Sequence, residues 1–170
     1  IKIDFSLGHE SDKTGRRLLN AYSKLKDYFL LLYGDNYWTI ELKKIIKNYK
    51  KLNLGITTTV FSNKLGTSEY GFDNNIIVDE SGMVLGYDKS RSNSKANGVD
   101  IGYFVIDKSK LDRTINQNIS FEVDLIPKFI SSKQFGAYVT DNQYYYITDY
   151  ESLKAFEKEV EFNKLKAIYI

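Results

Sequence analysis

Six consecutive apolar residues, Tyr28-Phe29-Leu30-Leu31-Leu32-Tyr33, run directly into Gly34-Asp35-Asn36. A continuous apolar run of this length is the pattern of a strand buried on both faces of a parallel sheet. Gly-Asp-Asn supplies the turn chemistry that ends it. Helical stripes flank the run. Upstream, Leu18, Leu19, Tyr22 and Leu25 recur at i, i+1, i+4 and i+7; downstream, Leu42, Ile45, Ile46, Tyr49 and Leu52 recur at i, i+3, i+4, i+7 and i+10, with Lys43, Lys44, Lys47 and Lys50 on the wet side. The β-branched segment 55–61 (GITTTVF) then reads as a second strand. Helix, strand, helix, strand is the cadence of an α/β sheet with crossovers.

The pattern changes after residue 61. Residues 75–79 and 83–87, joined by Glu80-Ser81-Gly82, read as a hairpin, and the polar stretch 90–98 (SRSNSKANG) as a loop. A third buried strand is expected over 99–106, a helix over 121–130 that Pro127 bends, and short strands over 135–140 and 143–148. Residues 151–162 form an amphipathic helix with Leu153, Phe156 and Val160 on one face. Residues 1–5 also have a strand pattern, so the chain reads as an excerpt that opens inside an element. An apolar content of 42% and 25 aromatic residues supply a real core for 170 residues. A net charge of +2, with Lys scattered among Asp and Glu, leaves no nucleic-acid footprint. The longest apolar run is far too short to span a bilayer. The absence of Cys removes disulfides and thiolate zinc sites and fits the cytoplasm.

Four places offer chemistry. Asp35 follows a buried strand at its carboxyl end, where open α/β sheets bind ligands. A carboxylate there, beside Gly34, suits a hard divalent cation bridging phosphates; it equally suits an N-cap for the next helix. Lys89, beside Asp88, is a point-charge partner for phosphate or half of a solvated ion pair. Glu122 and Asp124, two residues apart, do not share a helix face; near a helix start they complement the macrodipole, or Glu122 recognises sugar hydroxyls. Gly102, in Asp100-Ile101-Gly102, marks close approach of a ligand or tight packing. His9, the single histidine, has no Ser or Cys partner in sequence, so no triad is indicated. Tyr144-Tyr145-Tyr146 reads as core and rim.

In this order the motifs resemble the sugar-1-phosphate nucleotidyltransferases. Leu30-Leu31-Leu32-Tyr33-Gly34-Asp35 is similar to that family's strand ending in Gly-Asp. Tyr70-Gly71-Phe72, the hairpin and Asp88-Lys89-Ser90 are similar to its Tyr-Gly-Val, hairpin and Glu-Lys-Pro, and the strand 99–106 to its Asn-x-Gly-Ile-Tyr-x-Phe. Residues 120–127 (SFEVDLIP) resemble Ser-Leu-Glu-x-Asp-x-Leu-Pro, and 145–152 (YYITDYES) resemble Trp-x-Asp-Ile-Gly-Thr-Pro-Glu. Thr14-Gly15-Arg16-Arg17-Leu18-Leu19 looks like the family's Gly-Thr-Ala-Gly-Ala-Leu turn and helix, which lies near the nucleotide.

The resemblance implies a Rossmann-like α/β fold, a three-layer α/β/α mixed sheet, over residues 1–162. It implies transfer of a nucleotidyl group from a nucleoside triphosphate to a sugar 1-phosphate, releasing pyrophosphate. Asp35 would hold Mg²⁺, joined by Asp149, and Lys89 would approach the sugar phosphate. Thr14, Gly15, Gly34, Gly71, Gly102 and Glu122 would contact substrate. The Thr14–Gly15 variant and Gly34-Asp35-Asn36-Tyr37-Trp38 lean toward the branch that makes GDP-mannose and GDP-heptose, hence toward GTP. The base, the sugar and any homo-oligomer stay open.

The chain departs from the family in three ways. The phosphate-gripping Gly-x-Gly-x-Arg is absent and is expected upstream of Ile1, in an N-terminal part missing here, which would leave the excerpt inactive alone. The second metal carboxylate aligns with Tyr146, with Asp149 three residues away. The Asn of Asn-x-Gly is Asp100. These departures admit a non-catalytic, sugar-nucleotide-binding regulatory domain. A related glycosyltransferase is disfavoured, because its usual Asp-x-Asp is replaced by Gly34-Asp35-Asn36-Tyr37. Residues 163–170 read as a terminal strand or as the start of a fused domain, since Lys164 to Ile170 resemble the first strand of haloacid-dehalogenase-type phosphatases.

Overall fold

A computed structural model describes residues 2–161. The phosphatase-like segment and Phe162 lie outside the described residues. Residues 2–9, expected in part as a strand, form no ladder; a strand without a partner leaves its backbone groups to water, and these residues are exposed. Asp4 is held instead by Lys24, 2.7 Å away.

The elements follow in the expected alternation. Helix α1 (Thr14–Asn20) leads through a 3₁₀ turn (Tyr22–Lys24) to strand β1 (Tyr28–Leu32) and the short β2 (Asn36–Tyr37). Helix α2 (Leu42–Leu52) ends at Asn53, whose left-handed φ of 52° closes it with a hydrogen bond from Asn53 N–H to the Tyr49 carbonyl. Strand β3 (Ile56–Phe61), the hairpin β4 (Ile76–Val78) and β5 (Val84–Tyr87), and β6 (Val99–Asp107) follow. A π-helical turn (Phe121–Leu125) runs into α3 (Ile126–Ser131), then β7 (Phe135–Thr140), β8 (Tyr145–Tyr146) and α4 (Tyr150–Glu161). The helix expected over 121–130 is thus split. Pro127 sits in the first turn of α3, where its missing N–H costs nothing.

The main sheet has the order β1-β6-β3-β7; β6 is antiparallel to both neighbours, and β3 is parallel to β7. Strands β1 and β3 therefore point the same way with β6 between them, and α2 is their crossover. Strand β6 has alternate residues on opposite faces. Phe104 and Ile106 join Leu18, Leu19, Phe121, Ile126, Phe129 and the hairpin residues Ile76 and Val84. Val99, Ile101, Tyr103 and Val105 join Trp38, Ile45, Phe61 and Tyr144 on the other face. Helices α1 and α3 cover the first face and α2 the second, which gives the expected three-layer mixed fold.

The apolar run that opened the reading needs correction. Among the described residues β1 is an edge strand, paired with β6 alone and only half-buried, with Tyr28 and Leu32 exposed. One neighbour and incomplete cover on each face are responsible. A groove of about 640 Å³ between β1 and α2, lined by Tyr28, Leu42, Ile46 and Tyr49 among others, opens on one side, and the cleft described next opens on the other. Length and hydrophobicity identify a strand, but they do not say whether it is central. Among the described residues, no helix is long and apolar enough to cross a membrane.

Candidate active site

The cleft of about 680 Å³ at the carboxyl end of β1 is bounded by α1, the loop after β1, the end of the hairpin and the π-helical turn. Thr14, Gly34, Asp35, Lys89 and Glu122 all line it. Five residues singled out by motif, from four separate segments, meet in one place.

Asp35 is exposed at the turn that follows β1. Its backbone is fixed, because its carbonyl accepts from Ile147 N–H at 2.7 Å and Asn36 pairs with Tyr146. The N-cap alternative does not hold, because the next helix has its N-cap at Glu41. No Cβ contact would arise at Gly34, so the backbone there is open to approach. Lys89 and Glu122 form an ion pair of 2.6 Å, Lys89 largely exposed and Glu122 mostly covered. The other Glu122 oxygen accepts from the Tyr87 hydroxyl at 3.2 Å. Glu122 is thus held from both sides, and the exposed Lys89 ammonium also lines the cleft.

Local sequence explains why Glu122 faces this way. Ser120 Oγ accepts from Val123 N–H at 3.3 Å, and Asp124 Oδ2 accepts from Ser120 N–H at 2.7 Å. This is a reciprocal cap, with the acid one position later than usual because the turn is π-helical. Asp124 is consumed by the cap, and Glu122 is left for the cleft. Asp88, beside Lys89, is consumed likewise. It accepts from Ser90 Oγ at 2.5 Å and from Ser92 and Asn93 N–H at 2.9 Å, and these bonds hold its carboxyl at about 2.

Thr14 and Gly15 anchor α1. Thr14 Oγ1 accepts from Phe121 N–H at 2.9 Å, and a Cβ on Gly15 would stand 2.8 Å from the Ile119 carbonyl oxygen. Thr14 also lines the cleft, whereas Gly15 is buried against 119–120. Gly102 packs against Tyr33. Its φ of +77° lies in a bulge of β6, its carbonyl accepts from Tyr33 N–H at 2.9 Å, and the Tyr33 ring fills the space where a Cβ would go, 2.5 Å away. Gly71 (φ +59°) turns the 68–71 loop and does not line the cleft. Asp149 caps α4 through Ser152 N–H at 2.7 Å, which lowers its carboxyl below the usual range. His9 is exposed and pairs with Ser11 Oγ at 2.7 Å.

Sequence reading passed over Tyr33, Tyr87 and Arg17. Arg17 lines the cleft and ties down the preceding segment through the Asp12 and Glu10 carbonyls. Tyr33 and Tyr87 back the site beside Asp100, which is fully buried on β6. Asp100 Oδ1 accepts from Thr58 Oγ1 at 2.6 Å and from Gly102 N–H at 3.2 Å; Oδ2 has no hydrogen-bond partner. Burial pushes the Asp100 carboxyl up to about 6 against the pull of the Thr58 bond. Burial, followed by the Asp100 charge, pushes both phenols well above their usual range. An Asp inside a hydrophobic strand was the one signal in the sequence that could have pointed here.

Magnesium is a hard cation that commonly takes one or two carboxylates plus substrate phosphates. Asp35, exposed at the cleft wall, fits that role. No group of three or more His, Cys, Asp or Glu residues is placed to hold a metal among the described residues. Where the family's second carboxylate aligns, Tyr146 stands across from Asn36.

No family model matches the chain. Over 163 residues it is 20% identical to a D-glycero-alpha-D-manno-heptose 1-phosphate guanylyltransferase of Aneurinibacillus thermoaerophilus, covering 95% of this chain and 68% of that protein. Among solved structures it resembles HddC from Yersinia pseudotuberculosis complexed with GMP-PN, with a TM-score of 0.72 and 23% identity over 92% of this chain and 67% of that one. A second structure of HddC gives 0.68 and 22%, over 89% and 64%. A putative glucose-1-phosphate thymidylyltransferase from Bacillus anthracis gives 0.66 at 9% identity, over 87% and 61%. The chain spans about two thirds of the length of these relatives. Strand order, layers and cleft agree with the motif order, and the chain has the fold of the sugar-1-phosphate nucleotidyltransferases.

Proposed function

We propose that this chain carries the sugar-phosphate side of a nucleotidyltransferase site, in a protein that joins a nucleoside triphosphate to a sugar 1-phosphate with release of pyrophosphate. The observation that carries the reading is the meeting of Asp35, Lys89 and Glu122 in one cleft at the carboxyl end of β1. Lys89 neutralises the sugar phosphate. Its exposed ammonium needs only a small swing from Glu122 to reach an anion, and Glu122, steadied by Tyr87, then accepts from sugar hydroxyls. Asp35 orients the reacting phosphates, and a bound Mg²⁺ would supply charge neutralisation there. The work left to the protein is positioning and electrostatic stabilisation. GTP and a manno-configured sugar are the favoured pair, by the resemblance to a D-glycero-alpha-D-manno-heptose 1-phosphate guanylyltransferase and to a structure complexed with GMP-PN.

The test, made in the complete protein that includes the expected N-terminal part, is pyrophosphate release from GTP and α-D-mannose 1-phosphate or the corresponding heptose 1-phosphate, wild type against Asp35→Asn. A loss of about 10²-fold or more is expected. Near-normal turnover in Asp35→Asn would remove Asp35 from the reaction. Tyr146, standing in place of a second carboxylate, favours one other reading, a domain that binds a sugar nucleotide without turnover. Saturable binding with no pyrophosphate release would select it.

A further inference from the structure

A second cavity, of about 410 Å³, lies against another face of α1 and shares no lining residue with the active cleft. Arg17 and Leu18 line the cleft, whereas Arg16, Leu19 and Asn20 line this cavity, so one helix stands between the two. The lining carries three cations, Arg16, Lys108 and Arg113, and no carboxylate. Each comes from a different segment: α1, the 3₁₀ turn Lys108–Lys110 that follows β6, and the loop after that turn. Backbone carbonyls hold two of them in place. Lys108 Nζ donates to the Leu25 carbonyl at 2.9 Å, and Arg16 Nη2 donates to the Ile115 and Gln117 carbonyls at 2.5 and 2.6 Å. Tyr22 gathers the third, because its ring centroid lies 4.5 Å from Lys108 Nζ and 4.9 Å from Arg113 Cζ. An aromatic ring attracts a cation but has no net charge, so it brings the two together without neutralising either.

Among the described residues, no carboxylate comes within ion-pairing distance of any of the three. Asp27 and Asp107 line a neighbouring hollow that shares Tyr22 and Lys108, and there Asp107 Oδ1 accepts from Ser109 N–H at 2.8 Å. Like charges gathered around one ring oppose each other, and an anion among them relieves that cost. Donors remain to meet it. The Lys108 ammonium has donors beyond the one given to Leu25, and the Arg113 guanidinium is wholly unspent, since among the described residues it makes no hydrogen bond.

We propose that this cavity is a binding site for a diphosphate group, separate from the active cleft and independent of how the cleft is read. A single phosphate monoester brings at most about two charges against three cations. Guanidinium donors suit phosphate oxygens in pairs. The volume is that of a small-ligand site. Free pyrophosphate and a nucleoside diphosphate both offer the group, and the recognition argued here is of the diphosphate itself.

The chain's four arginines separate the places where a phosphate could bind. Arg16 and Arg113 report this cavity, Arg17 the active cleft, and Arg91 the loop beside Tyr70. In the full chain with isotope-labelled arginine, inorganic pyrophosphate is expected to shift the Arg113 Nε–H resonance saturably, with an affinity about tenfold or more above that for orthophosphate. Arg113→Gln removes one charge from an exposed side chain without touching a hydrogen bond of the fold. Read at Arg16, it should weaken pyrophosphate binding about tenfold, the worth of one hydrogen bond to a charged group. GDP in a parallel titration distinguishes the sources: a shift at Arg113 with both probes assigns the site to any diphosphate, with pyrophosphate alone to the free ion, and with GDP alone to a nucleotide. A response confined to Arg17 places the anion in the cleft and overturns the proposal. So does a non-saturating shift that orthophosphate reproduces, or an affinity unchanged in Arg113→Gln.

Discussion

Asp100→Asn should make this protein more stable at neutral pH. Folding takes the Asp100 carboxyl from an unfolded value of 3.8 to about 6. The native state therefore binds more protons than the unfolded chain between those values, and stability falls as pH rises through that window. Above it, the penalty for keeping the charge buried is fully present. Two units correspond to about 3 kcal/mol. The side chain is completely buried, so solvent does not screen this cost away. Asn is close in shape and keeps the oxygen that accepts from Thr58 and Gly102, so the substitution removes the charge, while its amide nitrogen takes the place of the unpartnered Oδ2 and offsets part of the gain. The variant should exceed the wild type by up to about 3 kcal/mol at pH 7.5, about 6–12 °C in Tm for a chain of this size. The gap should close toward pH 4. Urea unfolding at several pH values would measure it, followed by the fluorescence of the single, buried Trp38. A stability difference that does not change between pH 4 and 7.5 would mean that Asp100 does not titrate in this window, and the argument would fail.

Other outcomes follow from the same contacts. Gly102→Ala forces a Cβ into the Tyr33 ring at a φ of +77°, and should lower stability by about 2–4 kcal/mol in denaturant unfolding, more than an ordinary strand Gly→Ala change. Lys89→Ala should leave stability within about 0.5 kcal/mol, because the pair is solvated on its cationic side, yet raise KM for the sugar phosphate roughly tenfold or more. An unchanged KM would take Lys89 out of the site. Ser120→Ala breaks the reciprocal cap, should cost about 1 kcal/mol, and should weaken sugar-phosphate binding through Glu122 while leaving Asp35-dependent contacts alone.

The sequence alone was enough for elements that depend on local chemistry. The stripe Leu42, Ile45, Ile46, Tyr49 forms α2, GITTTVF forms β3, and the Glu80-Ser81-Gly82 turn joins β4 to β5, because periodicity, β-branching and turn residues act within a few positions. The order of motifs also singled out Asp35, Lys89 and Glu122, and all three line one cleft. The tertiary structure decided what depends on neighbours distant in sequence. Tyr28 to Tyr33 has the composition of a central strand, but among the described residues it pairs with β6 alone, and antiparallel. The close packing of Gly102 depends on Tyr33, 69 positions earlier, which no local pattern shows. Asp124 and Glu122 looked alike until the cap claimed one of them. Asp100 shows the limit most clearly. Its charge is visible in the sequence, but its raised pKa comes from burial and from the Glu122 charge, against the pull of the Thr58 bond, and these groups lie on separate segments that meet only in the folded chain.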